Sequence, residues 1–361
     1  MSAPTGNIPV TCKTLVQEEE GIVLKETPIP EVGENEVLIK VRAIGLNPID
    51  VSGCDLTGEV VKLGPNLKVD IRVGDRVSAT VVGNSASGRG AFTEYAKAFS
   101  DLVWKIPQGT LSFEHAVAIG SPLNAAFQAL YGVDDLGLTQ RFDSAAQGWK
   151  DETWVFIYGG SSGVGQFAIQ LAKLSGYKVV TVASPRNHDF LKALGADAVF
   201  DYKDPDVVQK VKDVAGNKIS HVLDAISGND TQFTSLKVLA EDKPGKLVTV
   251  LPHAEGIQDV RKDVQITMIT IFTSYGFGFG GKDADEYARR ALSAFLQKVP
   301  GLVKDKKLKH IPVKEFDGGL EKVVSDGFEY ITKGKVSAEK IVFTVAYQGL
   351  QDGHADPYSH G

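Results

Sequence analysis

Sulfur is scarce in this chain: among 361 residues there are two cysteines, Cys12 and Cys54, and two methionines. Two thiols cannot build a disulfide framework or a cysteine-rich structural zinc site. Charge of one sign is not concentrated either. The 39 basic residues are outnumbered by 45 acidic ones, for a net charge of -6, and Lys and Arg form no block. Nucleic acid and anionic membrane surfaces are thereby excluded as general partners. Long apolar runs are missing too: none approaches the roughly 18 to 20 residues of a membrane span, and the opening MSAPTGNIPVTCK has no signal-peptide core. These absences predict a cytoplasmic protein whose partner is a small molecule. What is present is core-forming material, 43% hydrophobic and 23% charged, in a length that suits two ordinary domains.

The chain has two textures. From about Thr11 to Val103, short β-rich runs (VLIKVRAIGL, GEVVKL, DRVSATVV, AFTEYAKA) alternate with Gly, Pro, Asn and Asp, which predicts a small barrel-like β domain. From Thr153 to about Phe272, apolar runs alternate with helical periodicity: TWVFIY, YKVVTVA, DAVF, SHVLDA, KLVTVL and TMITIF. That alternation predicts an α/β domain with a doubly wound parallel sheet. Between them lie an apolar helical pair, Ser112 to Leu130, and a polar stretch, DDLGLTQRFDSAAQGWKDE, that reads as a surface loop or linker. After a helix, DEYARRALSAFLQKV, the runs HIPVKEF and KIVFTV have the first texture again, so the chain is expected to return and complete its first domain. The expected organisation is residues 1–130 with 300–348, an inserted domain over 131–299, and a flexible tail, 349–361. The tail histidines, His354 and His360, offer an adventitious metal site at most.

The most informative chemistry is the loop Gly160, Ser161, Ser162, Gly163, Val164, Gly165, set between TWVFIY and a helical run through Phe167, Ile169, Leu171 and Leu174. Glycines let a pyrophosphate approach bare backbone, and the helix N-terminus supplies N–H groups and partial positive charge. The strand before it, the helix after it and a second strand about 20 residues on are the context that motif requires; a merely glycine-rich turn is the alternative. Where a site for unphosphorylated dinucleotide places Asp or Glu at the end of the second strand, this chain has Ser184, then Arg186, Asn187 and His188. Hydroxyl, guanidinium and imidazole favour a 2'-phosphate, which predicts NADPH, with Ser184, Arg186, His188 and Tyr202 as its ligands. The alternative for Arg186 and His188 is a pair of solvated residues at a helix start.

With these residues in view, the chain resembles the medium-chain dehydrogenases/reductases, specifically the zinc-independent quinone oxidoreductase and enoyl reductase branch, and within it the fungal trans-acting enoyl reductases and ToxD-like proteins. The resemblance is carried from about Val10 to Val345 by PIPEVGENEVLIKVRAIGLNPID, GCDLTGEVVKLG, GDRVSA, GAFTEYA, IPQGTLSFEHAVAI, the glycine loop, ALGADAVFDY, VLDAIS and KGKVSAEKIVF. It implies a GroES-like catalytic domain formed by both chain ends, an inserted Rossmann domain, and an active site in the cleft where NADPH hands hydride to a conjugated double bond or a quinone. It also implies that Ile226 and Ser227 edge the adenosine, that Leu251 and Pro252 lie on the nicotinamide side, and that Asn47, of the NPxD motif, lies near nicotinamide and substrate. Relatives occur as monomers and as homodimers.

Zinc in the alcohol dehydrogenase branch needs a cysteine, a His-Glu pair and a further ligand. Here the first region reads AIGLNPID, without cysteine, and the pair is replaced by Cys54 and Asp55. No metal site is expected, and Cys54 reads as a small buried residue rather than a ligand or reactive thiol. Hydride addition to an enone leaves charge on a carbonyl oxygen and a carbon that needs a proton. Asn47 and Tyr275 are the expected donors. Tyr275 shares the loop IFTSYGFGFGG with Phe272, Phe277 and Phe279, which suit either an apolar substrate wall or a core and subunit contact. Three departures from the family pattern stand out: Ser121, Pro122, Leu123, Asn124, Ala125 in place of a segment with threonine, Ala338 in place of glycine, and only Val51 and Ser52 between Asp50 and Gly53, where relatives carry a longer connection. The last of these sustains an alternative to the reductase, an NADPH-binding protein with impaired catalysis; a zinc alcohol dehydrogenase is the third reading.

Overall fold

The computed structural model describes residues 8–48, 53–83, 89–142, 152–278 and 281–345. The chain divides into two compact units, residues up to Ser121 together with those from Arg289 onward, and Pro122–Ala288.

The first unit begins with an antiparallel hairpin, β1 (Thr11–Glu18) and β2 (Gly21–Pro28). It continues through β3 (Glu36–Leu46), β4 (Asp55–Leu63), β5 (Arg76–Thr80), β6 (Tyr95–Phe99) and β7 (Val103–Lys105), then α1 (Phe113–Val117) and the start of α2 (Ser121–Tyr131). The long strand β3 is shared: Glu36–Lys40 pairs with β6, whereas Ala43–Leu46 pairs with the chain's last strand. Two register shifts against β4, at Leu38/Ile39 and Val41/Ala43, bend it between the two partnerships. Opposite that bend stands Gly58, where a Cβ would lie 2.1 Å from the Lys40 carbonyl oxygen, so only glycine admits the close approach. Val37, Ile39, Val41, Leu56, Val77 and Phe92 fill the interior of this curled sheet.

The second unit holds six parallel strands, β8 (Trp154–Tyr158), β9 (Lys178–Ala183), β10 (Ala198–Asp201), β11 (His221–Asp224), β12 (Gly245–Thr249) and β13 (Val264–Met268). Their order is β10-β9-β8-β11-β12-β13, so the winding reverses between β8 and β11. The helices α3 (Gly163–Leu174), α4 (His188–Ala193), α5 (Val207–Val214) and α6 (Asn229–Lys237) connect successive strands. This is the doubly wound parallel sheet expected from the alternating runs. Val180, Val182, Val222, Leu223 and Leu247 are buried on both faces, which is why their strands read as continuous apolar runs.

Two local expectations are corrected. The run TMITIF is not the sixth strand: β13 comes earlier, with Val264 and Ile266 turned inward, and the chain then enters the helical turn Ile271–Tyr275. The start of DDLGLTQRF is no surface loop, because Asp135, Leu136 and Leu138 are buried. Leu136 and Leu138 N–H groups bond the Ala129 and Leu130 carbonyls, folding this segment onto α2. The chain then returns to the first unit with β14 (Val313–Phe316) and β15 (Lys340–Thr344); β15 lies parallel to β14 and antiparallel to β3.

Candidate functional site

In the second unit, ligands of an open parallel sheet bind beyond the carboxyl ends of the strands at the switch point. Here that point lies beyond β8 and β11, where the glycine loop begins. Gly159 turns the chain with φ +78° out of β8, and Ser162 caps α3 by accepting the Gly165 N–H at 3.0 Å. A Cβ on Gly165 would lie 2.3 Å from the Gly159 carbonyl oxygen, so glycine brings the helix N-terminus tight against the strand end. Ser161 is held by Gln166, whose side-chain amide donates to its carbonyl. Gly160, Gly163 and Val164 complete the loop, in the strand-turn-helix setting that the motif demands.

Beyond β9, a surface pocket of about 480 Å³ is lined by Ser184, Pro185, Arg186, Asp201, Tyr202 and Lys203. Three of the four residues expected around a 2'-phosphate, Ser184, Arg186 and Tyr202, therefore share one pocket. His188 does not line it: its Nε2 bonds the Ala183 carbonyl oxygen at 3.1 Å, tying α4 to the end of β9. Lys203 and Asp201 were missed by the sequence reading, although Lys203 follows Tyr202 directly and its ammonium lies 5.8 Å from the Tyr202 ring. With two cations and one carboxylate, the pocket favours an anion.

Ile226 and Ser227 follow β11, and Leu251 and Pro252 follow β12. Ile226 is 44% exposed, Leu251 41% and Tyr202 41%, so one edge of the sheet leaves several large apolar side chains facing water. Ile226 also packs on the glycine loop, since a Cβ on Gly159 would lie 2.4 Å from its Cγ1. Apolar surface gathered beside a glycine-rich helix N-terminus is what a nucleoside requires. Ser227 is buried and adopts φ +59°.

In the first unit, Asn47 and Asp55 belong to a buried polar cluster. The Asp55 carboxylate accepts from Thr80 Oγ1 (3.0 Å) and Ser121 N (2.6 Å) at Oδ1, and from Asn47 Nδ2 (2.9 Å), Ser121 Oγ (2.8 Å) and Lys340 Nζ (2.7 Å) at Oδ2. Five donors meet the about four lone pairs a carboxylate offers. Lys340 also donates to Asn47 Oδ1, so the Asn47 carboxamide is clamped between carboxylate and ammonium. Cys54 is buried beside Asp55. Among the described residues no three His, Cys, Asp or Glu side chains group as a metal would need.

Tyr275, in the second unit, is 2% exposed, and its hydroxyl oxygen accepts from the Asn124 amide. Asn124 is one of the departures from the family pattern, and this bond gives it a partner. Phe272 and Phe277 are half-buried nearby in sequence; Phe279 lies outside the described residues, as do Asp50, Val51 and Ser52 of the short connection and the tail with His354 and His360.

Comparison with known proteins supplies the class. A family model described as the alcohol dehydrogenase GroES-like domain matches residues 33–108, and one described as a zinc-binding dehydrogenase matches residues 163–294. The two units are thus the GroES-like and Rossmann domains of a medium-chain oxidoreductase. The trans-enoyl reductase RAP1 of Pyricularia oryzae is 32% identical over 365 residues, covering 93% of this chain and 98% of that protein. The trans-enoyl reductase fsa3 of a Fusarium species is 34% identical, over 91% of this chain and 97% of its own length. The chain belongs to the medium-chain dehydrogenase/reductase family, in the group that holds these fungal trans-enoyl reductases. Among solved structures, the CurK enoyl reductase superposes with a TM-score of 0.71 at 20% identity, over 94% of this chain and 100% of that one. A mycobacterial protein complexed with NADPH does so with 0.69 at 22%, over 92% and 99%.

Proposed function

We propose that the chain is an NADPH-dependent reductase that transfers hydride, without zinc, to an activated C=C bond of an enoyl or enone substrate or to a quinone. The observation that carries the cofactor assignment is the pocket beyond β9, where Ser184, Arg186 and Lys203 gather and β9 ends without a carboxylate. The NADPH complex of a protein of the same fold and the trans-enoyl reductase relatives support it. When bound, NADPH supplies the hydride. The residues that would hold it are Gly160, Ser161, Ser162, Gly163, Val164 and Gly165 at the pyrophosphate, Ser184, Arg186 and Tyr202 with Lys203 at the adenosine phosphate, His188 behind them, and Ile226, Ser227, Leu251 and Pro252 along the strand ends.

Two residues are given donor roles. Tyr275 has its phenolic oxygen held by the Asn124 amide, which fixes the hydroxyl in place and suits it to proton donation. Asn47 has its amide orientation fixed by Lys340 and Asp55, which suits it to bonding a carbonyl oxygen. Zinc independence is supported by Asp55, whose lone pairs are taken by five protein donors.

The test is oxidation of NADPH and NADH, followed by absorbance, against a panel of enals, enones, enoyl thioesters and quinones. Turnover with NADPH is expected; a preference for NADH sinks the cofactor assignment. NADPH that binds and is never oxidised by any member of the panel favours the impaired binding protein to which the short Asp50 to Gly53 connection points. Tyr275→Phe is expected to lower kcat by about 100-fold or more, and unchanged turnover removes it as the acid.

A further inference from the structure

We infer that Gln232 is a positioning residue that locks the loop after β11 to the loop after β12. It thereby sets the spacing between Ile226 with Ser227 and Leu251 with Pro252. The inference rests on the reading that these four residues hold NADPH. Gln232 lies one turn into α6 and is fully buried. Its Nε2 donates to the Ser227 carbonyl and to the Pro252 carbonyl, both at 3.0 Å, and its Oε1 accepts from the Ala254 N–H at 2.9 Å. Both amide hydrogens are spent, each on a different loop. Carbonyls only accept and an N–H only donates, so the three partners admit one orientation of the amide.

A second tie runs through Ser227. Its hydroxyl donates to the Asp224 carbonyl at 2.7 Å and accepts from the Val250 N–H at 2.8 Å. The Asp224 carboxylate in turn accepts from the N–H groups of Ile226 (3.0 Å) and Ser227 (2.8 Å) and from Thr231 Oγ1 (2.7 Å). These bonds hold Ser227 at φ +59°, a left-handed conformation that a non-glycine residue keeps only where its surroundings impose it. The shape of the first loop and its distance from the second are therefore imposed by hydrogen bonds among buried groups of the protein itself. Binding both halves of a dinucleotide depends on holding the two loops at a fixed spacing, and a loop free to shift costs affinity.

The test uses the protein with Gln232→Met, which keeps volume and removes every donor, and Gln232→Glu, which keeps the acceptor for Ala254 and sets a second oxygen against the two carbonyls. Binding is titrated with NADP⁺, which withstands acid, and steady-state kinetics with NADPH. Gln232→Met is expected to raise the NADP⁺ Kd and the NADPH KM by about 10-fold, with kcat at saturation within about threefold. Gln232→Glu is expected to bind more weakly still at about pH 8 and to recover toward Gln232→Met near pH 5.5, because burial against two carbonyls raises the new carboxyl above its ordinary range and the protonated form regains a donor; Gln232→Met shows no such recovery. Phe233→Leu, which trims the packing of the same helix, lowers the melting temperature and leaves Kd unchanged. Wild type that binds NADP⁺ alongside a Gln232→Met variant of equal Kd and KM overturns the role of Gln232, whereas wild type that binds no NADP⁺ overturns the site reading itself. If Gln232→Met does not fold, Gln232→Asn, too short to span both loops, decides on the same criterion.

Discussion

At the scale of single residues, three side chains have measurable consequences. Asp135 is buried, and burial pushes its carboxyl up to about 6 despite bonds from Thr267 and Gln128. The folded protein binds this proton more tightly than the unfolded chain, whose carboxyl titrates near 4. Its contribution is present below about pH 4 and is lost as the pH rises through about 6. Asp135→Asn is therefore expected to stabilise the protein at pH 8 by roughly 1 to 3 kcal/mol, with no gain at pH 4, as read by thermal melting across pH. Arg186 and Lys203 test the cofactor assignment. Replacing both with alanine is expected to cut the preference for NADPH over NADH by about 100-fold while kcat/KM for NADH holds, since each charge-assisted bond contributes about tenfold. Arg186 was legible because it follows a strand end in a known motif. Gln232 was not: it stands in no motif, and its function comes from two loops that only the fold brings beneath it.

Elements were read better than their ends. The six parallel strands announced themselves because burial on both faces makes a strand a solid apolar run, and the glycine loop because its turn tolerates little else. The sixth strand was misplaced because the apolar run from Thr267 to Phe272 continues past the strand into a helical turn. The clamp around Asn47 was invisible because Lys340 lies 293 positions away from it in the chain. That clamp reaches from β15 over the end of β3 to β4. Lys340 is 4% exposed on its side chain and Asp55 0%, so Lys340→Met leaves a carboxylate buried without its cation. The expected cost is about 3 to 5 kcal/mol, read as a lowered urea midpoint. If Asn47 acts on substrate, what activity remains should fall further than in an equally destabilised control.

For the whole molecule, fold class followed from the change of texture along the chain, and family from the order of short motifs. NADPH at about 100 times its Kd is expected to raise global stability by about 2.7 kcal/mol if the two units unfold together. A melting curve that splits on adding NADPH, with only one transition moving, would instead show two independent units.

The path of the chain has a further consequence, for biosynthesis. Residues 122–288 complete their parallel sheet from one uninterrupted stretch, whereas the Ala43–Leu46 end of β3 in the other unit lacks one of its two neighbours until β15 has been made. As the ribosome moves along the chain, the earlier-made β3 is thus among the last to close, and its apolar edge stays open while more than 270 further residues emerge. A nascent chain of this kind is the sort of client that chaperones hold, and the unit most exposed to failure of that care is the one that carries Asn47.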